Sequence, residues 1–188
     1  MVLPVIVGIT GASGVIYGVE ALKALKELSI PTHLILSRAG AENLKIETDF
    51  NAEQVKSLAR TSHDPENLAA APASGSFLTK GMLVAPCSIK TLSAIANSYT
   101  DNLLTRAADV TLKEKRTLVL MVRETPLHQG HLELMARAAQ MGAVILPPMP
   151  AFYHNPRTIE DLIKQSVGKA LDSLGIANQL FKRWSGPS

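Results

Sequence analysis

A chain of 188 residues with 46% hydrophobic and 19% charged side chains is long enough to bury a substantial core and has the composition of a soluble globular protein. The net charge of +3 comes from scattered basic residues; the densest run, Lys113–Arg116, contains Glu114 and falls where a helix should end, so it reads as a solvated terminus and not as a nucleic-acid surface. No apolar run approaches the ~20 residues that span a bilayer, no basic leader precedes the apolar Val2–Ile9, and Cys87, the single cysteine, excludes an intrachain disulfide, as suits a reducing cytoplasm.

In chain order, Val5–Ile9 reads as a buried strand and Gly11–Gly14 as a tight turn. Val15–Leu28 carries apolar residues at helical spacing: Val19, Leu22, Leu25 and Leu28. A second strand, His33–Leu36, leads into an alanine-rich helix from Ala39 to about Ile46, and Ala52–Arg60 forms another short helix. Residues 61–76, rich in Ser, Ala, Pro and Asp, make the longest irregular stretch. Met82–Ala85 is the third strand, followed by helices at Ser88–Asn97 and Leu103–Lys113. Leu118–Val122 is the fourth strand, His131–Met141 a helix, and Ala143–Leu146 a fifth strand that runs into Pro147-Pro148-Met149-Pro150. Thr158 caps a last helix reaching Leu174, with Asp161 at the capping-box position. Strands alternating with helices predict one α/β domain over residues 1–188, doubly wound around a mainly parallel sheet of the Rossmann/flavodoxin-like kind. In such sheets ligands bind beyond the carboxyl ends of the strands, at the switch point.

The loops after the strands therefore hold the candidate chemistry. The first, Gly8-Ile9-Thr10-Gly11-Ala12-Ser13-Gly14, lets backbone approach a phosphate and aims the next helix N-terminus at it; a plain tight turn is the alternative. Its GxxGxxG spacing departs from the dinucleotide fingerprint GxGxxG, and the second strand ends in Ser37-Arg38 where an NAD site expects an acid. NAD is disfavoured, while Arg38 leaves NADP open. After the third strand, Ser88-Ile89-Lys90-Thr91 open a helix with hydroxyls and one lysine, and two such helix N-termini facing one crevice suit FMN. Cys87 beside them reads as a small buried apolar residue, with no partner base nearby. Arg123-Glu124 follow the fourth strand, either as a surface ion pair or as an anion-binding arginine beside a proton-transferring carboxyl. His128 and His131 form an HxxH pair without the HExxH zinc spacing, and His33 reads as a core or interface histidine. Phe152, Tyr153, Phe181 and Trp184 gather late in the chain, where packing is the default and an aromatic face beside a developing cation the alternative.

Taken together, these motifs resemble the UbiX family of flavin prenyltransferases, formerly described as aromatic-acid decarboxylases. The resemblance runs through Thr10-Gly-Ala-Ser-Gly, Glu47-Thr-Asp, Ala73-Ser-Gly-Ser, Pro86-Cys-Ser-Ile-Lys-Thr, Arg106-Ala-Ala-Asp and Leu112-Lys-Glu. It continues in Val122-Arg-Glu, Gly142-Ala-Val-Ile-Leu-Pro-Pro, Phe152-Tyr-His and Arg183-Trp, and so covers nearly the whole chain in order.

The resemblance implies transfer of a dimethylallyl group from dimethylallyl phosphate to N5 of reduced FMN and ring closure onto C6. The product, prenylated FMN, would serve UbiD-type decarboxylases. No metal is expected, because side chains hold the monophosphate. It implies FMN contacts from Gly11, Ala12, Ser13, Ser37, Ser88, Ile89, Lys90, Thr91 and Arg123. Tyr153 and Lys169 would hold dimethylallyl phosphate, helped by Arg106, Lys113 and Arg123. Glu124 would relay a proton to the leaving phosphate, Ser13 would assist proton loss near N5, Glu47 would lie beside the ring, and Trp184 would join Tyr153 in shielding an allylic cation. Some relatives carry arginine where this chain has Lys169, and lysine keeps the charge without the bidentate fork. The family forms homododecamers with sites shared between subunits. Two rivals remain at this point: a cysteine-decarboxylase-type flavoenzyme, and a non-catalytic FMN-binding subunit of an aromatic-acid decarboxylase.

Overall fold

The computed structural model describes residues 2–186. Apolar residues in the strands divide between two sides, as a pleat requires. In Val5–Ile9 (β1), Val5, Val7 and Ile9 pack on one face and Ile6 on the other. The same division holds in Thr32–Leu36 (β2), with Leu34 and Leu36 against Ile35, and in Gly81–Cys87 (β4), with Leu83 and Ala85 against Met82 and Val84. Thr117–Val122 (β5) follows suit, and Thr61–His63 (β3) and Val144–Ile145 (β6) form the two edges. All pairings are parallel, in the order β3-β2-β1-β4-β5-β6.

Strands buried on both faces read as continuous apolar runs because helices cover both sides. Val15–Glu27 (α1), Arg38–Glu47 (α2), the short Ala52–Lys56 (α3) and Ile159–Ser173 (α7) cover one face; Ile89–Ala96 (α4), Leu103–Lys113 (α5) and Gln129–Gln140 (α6) cover the other. The chain winds outward from β1 through β2 to β3, then returns to β4 and winds the other way, so the switch point lies between β1 and β4.

The expected elements are present with three differences. Thr61–His63, placed in the irregular stretch, is a strand pairing with β2 through His33↔Thr61 to Ile35↔His63; three polar residues on an edge carry no apolar signal. The helix expected to reach Arg60 stops at Lys56, closed between its Asn51–Gln54 capping box and Ser57. The fifth expected strand contracts to Val144–Ile145. The capping box at the start of α7 is formed: Thr158 Oγ1 accepts from Asp161 N at 3.1 Å, and Asp161 Oδ2 accepts from Thr158 N at 2.9 Å.

Candidate active site

The loops after β1, β2 and β4 and the start of α5 surround a cavity of about 410 Å³ at the switch point, within the usual size of small-molecule sites. Thr10 fixes its floor. This buried residue donates from Oγ1 to Pro86 O at 2.7 Å and accepts from Ser88 N at 2.9 Å, so the ends of β1 and β4 are tied side by side.

Three helices begin at this cavity, and each is capped by its own sequence. Ser37 Oγ accepts from Gly40 N at 3.0 Å, Ser88 Oγ from Thr91 N at 3.3 Å, and Asn102 Oδ1 from Thr105 N at 3.1 Å. Such ends carry partial positive charge and unsatisfied N–H groups, which favour an anion. Arg38 and Lys90 stand at the same cavity, Arg38 paired with Glu42 at 3.3 Å and Lys90 with Asp101 at 3.2 Å. Hydroxyls, N–H groups and cations at one mouth fit a phosphate-bearing ligand with many polar edges, and the donor set fits FMN. Gly11 lines the cavity too; a Cβ there would come within 2.4 Å of the Ala39 Cβ, so only glycine lets this loop lie against α2.

The first glycine loop otherwise behaves differently from expectation. The N-terminus of α1 meets the chain's own carboxylate: Glu47 Oε2 accepts from Gly14 N at 2.7 Å and from Val15 N at 3.2 Å. Asn43 Nδ2 adds a bond to Ala12 O at 3.2 Å, so α2 clamps the loop, and the phosphate-type sites are the starts of α2, α4 and α5. Gly11, Ser37, Ser88, Lys90 and Thr91 line the cavity, whereas Ala12, Ser13, Ile89 and Arg123 lie outside its lining. Ser13 is exposed at the turn, Ala12 is buried, and Ile89 packs on the core.

Arg123 leaves β5 half-buried, its N–H bonded to Cys87 O at 3.1 Å. Its charge acts on the Tyr17 hydroxyl, whose pKa burial raises and Arg123 partly lowers. Glu124 is exposed and accepts from Thr125 N at 2.9 Å. Among the described residues these two neighbours form no ion pair with each other. Tyr153 is half-exposed; its hydroxyl meets Gln165 Nε2 at 3.4 Å, and its ring stands 6.4 Å from that of Trp184, edge to face at 84°. Lys169 is exposed one turn beyond Gln165 on α7.

Arg106 and Lys113 are on α5, in the layer across the sheet from α7. Arg106 Nε donates to Ala73 O at 3.2 Å and pairs with Asp109 at 3.1 Å, and Lys113 pairs with Glu114. One chain therefore brings together five of the nine FMN candidates at the cavity, and Tyr153 with Trp184, but not Arg106 and Lys113 with Lys169.

Sequence reasoning named Thr10 only as part of the glycine loop, without its tie to Pro86 and Ser88, and passed over Asn102, Pro65 and Glu66. Asn102-x-x-Thr105 carries a capping pattern that would have marked a third helix start; Pro65 and Glu66 reach the cavity only through the strand pairing of β3. Cys87 is fully buried and its thiol pKa is pushed well up by desolvation, as expected of a packing residue. His33 Nδ1 lies 2.8 Å from His63 Nε2 with the rings stacked. The basic run at 113–116 is structural in part: Arg116 donates to Gly75 O and Phe77 O, each at 2.7 Å. His128 and His131 lie with ring centroids 3.5 Å apart, and no group of three or more metal-ligating side chains occurs among the described residues. No helix among them is long and apolar enough to cross a membrane.

A parallel sheet in this order, with anion-favouring helix starts at its switch point, defines a nucleotide-type ligand-binding protein of the α/β class. The flavoprotein family model matches residues 2–171. The chain is 57% identical over 184 residues to Flavin prenyltransferase UbiX of Escherichia coli K12, covering 96% of this chain and 97% of the relative. It is 54% identical to Flavin prenyltransferase UbiX of Thauera aromatica, over 97% of this chain and 94% of the relative. The crystal structure of AnUbiX (PadA1) in complex with FMN and dimethylallyl pyrophosphate superposes with a TM-score of 0.98 at 45% identity, all of both chains being covered. That of a dodecameric FMN-dependent UbiX-like decarboxylase from Escherichia coli O157:H7 gives 0.95 at 46% identity, over 98% of this chain and 100% of the other. The peptidyl-cysteine decarboxylase EpiD, at 16% identity and a TM-score of 0.66, shares the fold alone. This chain belongs to the UbiX family of flavin prenyltransferases.

Proposed function

We propose that this chain transfers a dimethylallyl group from dimethylallyl phosphate to reduced FMN. The observation that carries the reading is the convergence of three capped helix starts on one switch-point cavity, in a chain with this family membership. When bound, reduced FMN supplies the nucleophilic N5 and then C6. Gly11, Ser37, Ser88, Lys90 and Thr91 hold it, with Ala12, Ser13, Ile89 and Arg123 at the adjoining loops. As the donor's carbon–oxygen bond breaks, Lys169 and Tyr153 hold the phosphate and Glu124 gives it a proton. Ser13 helps remove the proton displaced at the nucleophile, and Glu47, anchored on Gly14 and Val15, fixes the Ser13 turn beside the ring. The faces of Tyr153 and Trp184 stabilise positive charge developing on the allyl group. Side-chain cations take the phosphate's charge without a metal.

Arg106 and Lys113 complete this site from a second copy, since within one chain they lie across the sheet from Lys169. The reading thus includes a homododecamer, a cytoplasmic setting and delivery of prenylated FMN to a UbiD-type decarboxylase. The exposed Met149, Phe152 and Trp184 support close packing between copies. Phosphate release from dimethylallyl phosphate by the purified chain tests the reading: it should require reduced FMN and be absent with NADPH. Release that ignores the flavin, or none at all, contradicts it.

A further inference from the structure

Beyond α7 the chain turns at Gly175, with φ of 65°, and runs back over the helix. Asn178 fastens it: Nδ2 of this buried side chain donates to Gly168 O at 3.1 Å, Asp172 Oδ1 at 3.0 Å and Ile176 O at 3.2 Å. Phe181 then packs against Gly168, where a Cβ would come within 2.5 Å of the ring. Next, Arg183 grips Asp172 with both arms, Nη1 to Oδ2 at 2.9 Å and Nη2 to Oδ1 at 2.8 Å, while Nη2 also reaches Asn178 O at 3.2 Å. Its guanidinium stands 5.2 Å from the Phe181 ring. The residue after this fork is Trp184, edge-on to Tyr153.

A fork of two parallel N–H···O bonds fixes orientation as well as distance. Trp184 itself is 66% exposed within its own chain, so what that chain supplies to orient it is the anchored residue before it. Gln165, Lys169 and Asp172 are spaced four and three along α7, which places them on one stripe. One helix stripe thus orients the Tyr153 hydroxyl through Gln165 and the Trp184 ring through Asp172 and Arg183.

We propose that Arg183 and Asp172 are positioning residues that fix Trp184 against Tyr153 at the donor site. This rests on the reading of Tyr153 and Trp184 as walls of that site. Trp184 is the only tryptophan, so its fluorescence anisotropy reports the latch independently of turnover. In the purified full-length protein, Arg183→Ala and Asp172→Asn should each lower that anisotropy. Each should also slow prenyl transfer at saturating reduced FMN and dimethylallyl phosphate by about 10–10²-fold, the scale of a displaced active-site group. FMN affinity should stay unchanged and Arg183→Lys, which keeps charge without the fork, should be intermediate. The double variant Arg183→Ala/Trp184→Ala should be no slower than Trp184→Ala alone. Wild-type anisotropy and rate in both single variants overturn the proposal, as do losses that multiply in the double variant or a parallel fall in FMN affinity. If wild-type protein transfers no prenyl group while anisotropy still falls in the variants, the functional reading fails and the latch stands.

Discussion

Arg123 and Glu124 leave the same strand with different surroundings, one half-buried beside β4 and the other exposed with a single backbone partner. Glu124→Gln keeps the shape and removes the transferable proton, so it should slow prenyl transfer by roughly 10²–10⁴-fold and leave flavin binding intact. Unchanged turnover at saturating donor would remove Glu124 from the mechanism. Lys169 is exposed on α7, and a salt-bridge partner for it is absent among the described residues. Lys169→Ala should weaken dimethylallyl phosphate binding by about 1.5–3 kcal/mol, the range for hydrogen bonds to charged groups, and Lys169→Arg should retain most activity; isothermal titration with each ligand separates this from a loss of FMN affinity. At this scale the sequence was informative where chemistry is local. Ser37, Ser88 and Thr158 announce helix starts by type and position. Glu47 was legible only by resemblance, because its partners Gly14 and Val15 are more than thirty residues away and no local rule links them.

Among the elements, the β1–β4 junction bears most on the site, because Thr10 ties the two strand ends that hold opposite walls of the cavity. Thr10→Val conserves volume and removes the hydroxyl, leaving Ser88 N without its partner while Pro86 O keeps only the backbone N–H of residue 10. It should cost about 1–3 kcal/mol in urea denaturation and weaken FMN binding in parallel; a stable variant with wild-type flavin affinity would deny Thr10 this role. At one edge of the sheet, β3 was invisible to periodicity, since three residues cannot show a period and Thr-Ser-His is polar. Its stacking of His63 on His33 has a pH consequence. Burial, the neighbouring His63 charge and Arg60 lower the His33 pKa from 6.5, and burial lowers that of His63. The unfolded chain therefore binds more protons than the folded one below 6.5. Stability from this pair is present above pH 6.5 and is lost as pH falls through the folded values. His63→Gln should flatten the decline in unfolding midpoint over that window; a decline as steep as wild type would assign it to other groups.

The whole molecule exposes what one chain leaves unfinished. Phe152 is 71% exposed and Met149 70%, beside Tyr153 and Trp184, while Arg106 and Lys113 lie across the sheet from Lys169. Phe152→Asp should therefore dissociate the proposed assembly in sedimentation velocity and abolish transfer, with FMN binding by the monomer no tighter than before; full activity in a monomeric species would contradict a shared site. The doubly wound architecture was legible because each buried strand is a short apolar run between glycine, proline and hydroxyl-rich loops. Which loops meet was not, since that depends on strand order. The most direct measurement is the mass of the flavin after purified chain, reduced FMN and dimethylallyl phosphate are incubated together without metal. The account predicts a flavin heavier by one five-carbon isoprene unit, formed only with donor present. Recovery of unmodified FMN under the same conditions, with both ligands shown to bind, would contradict it.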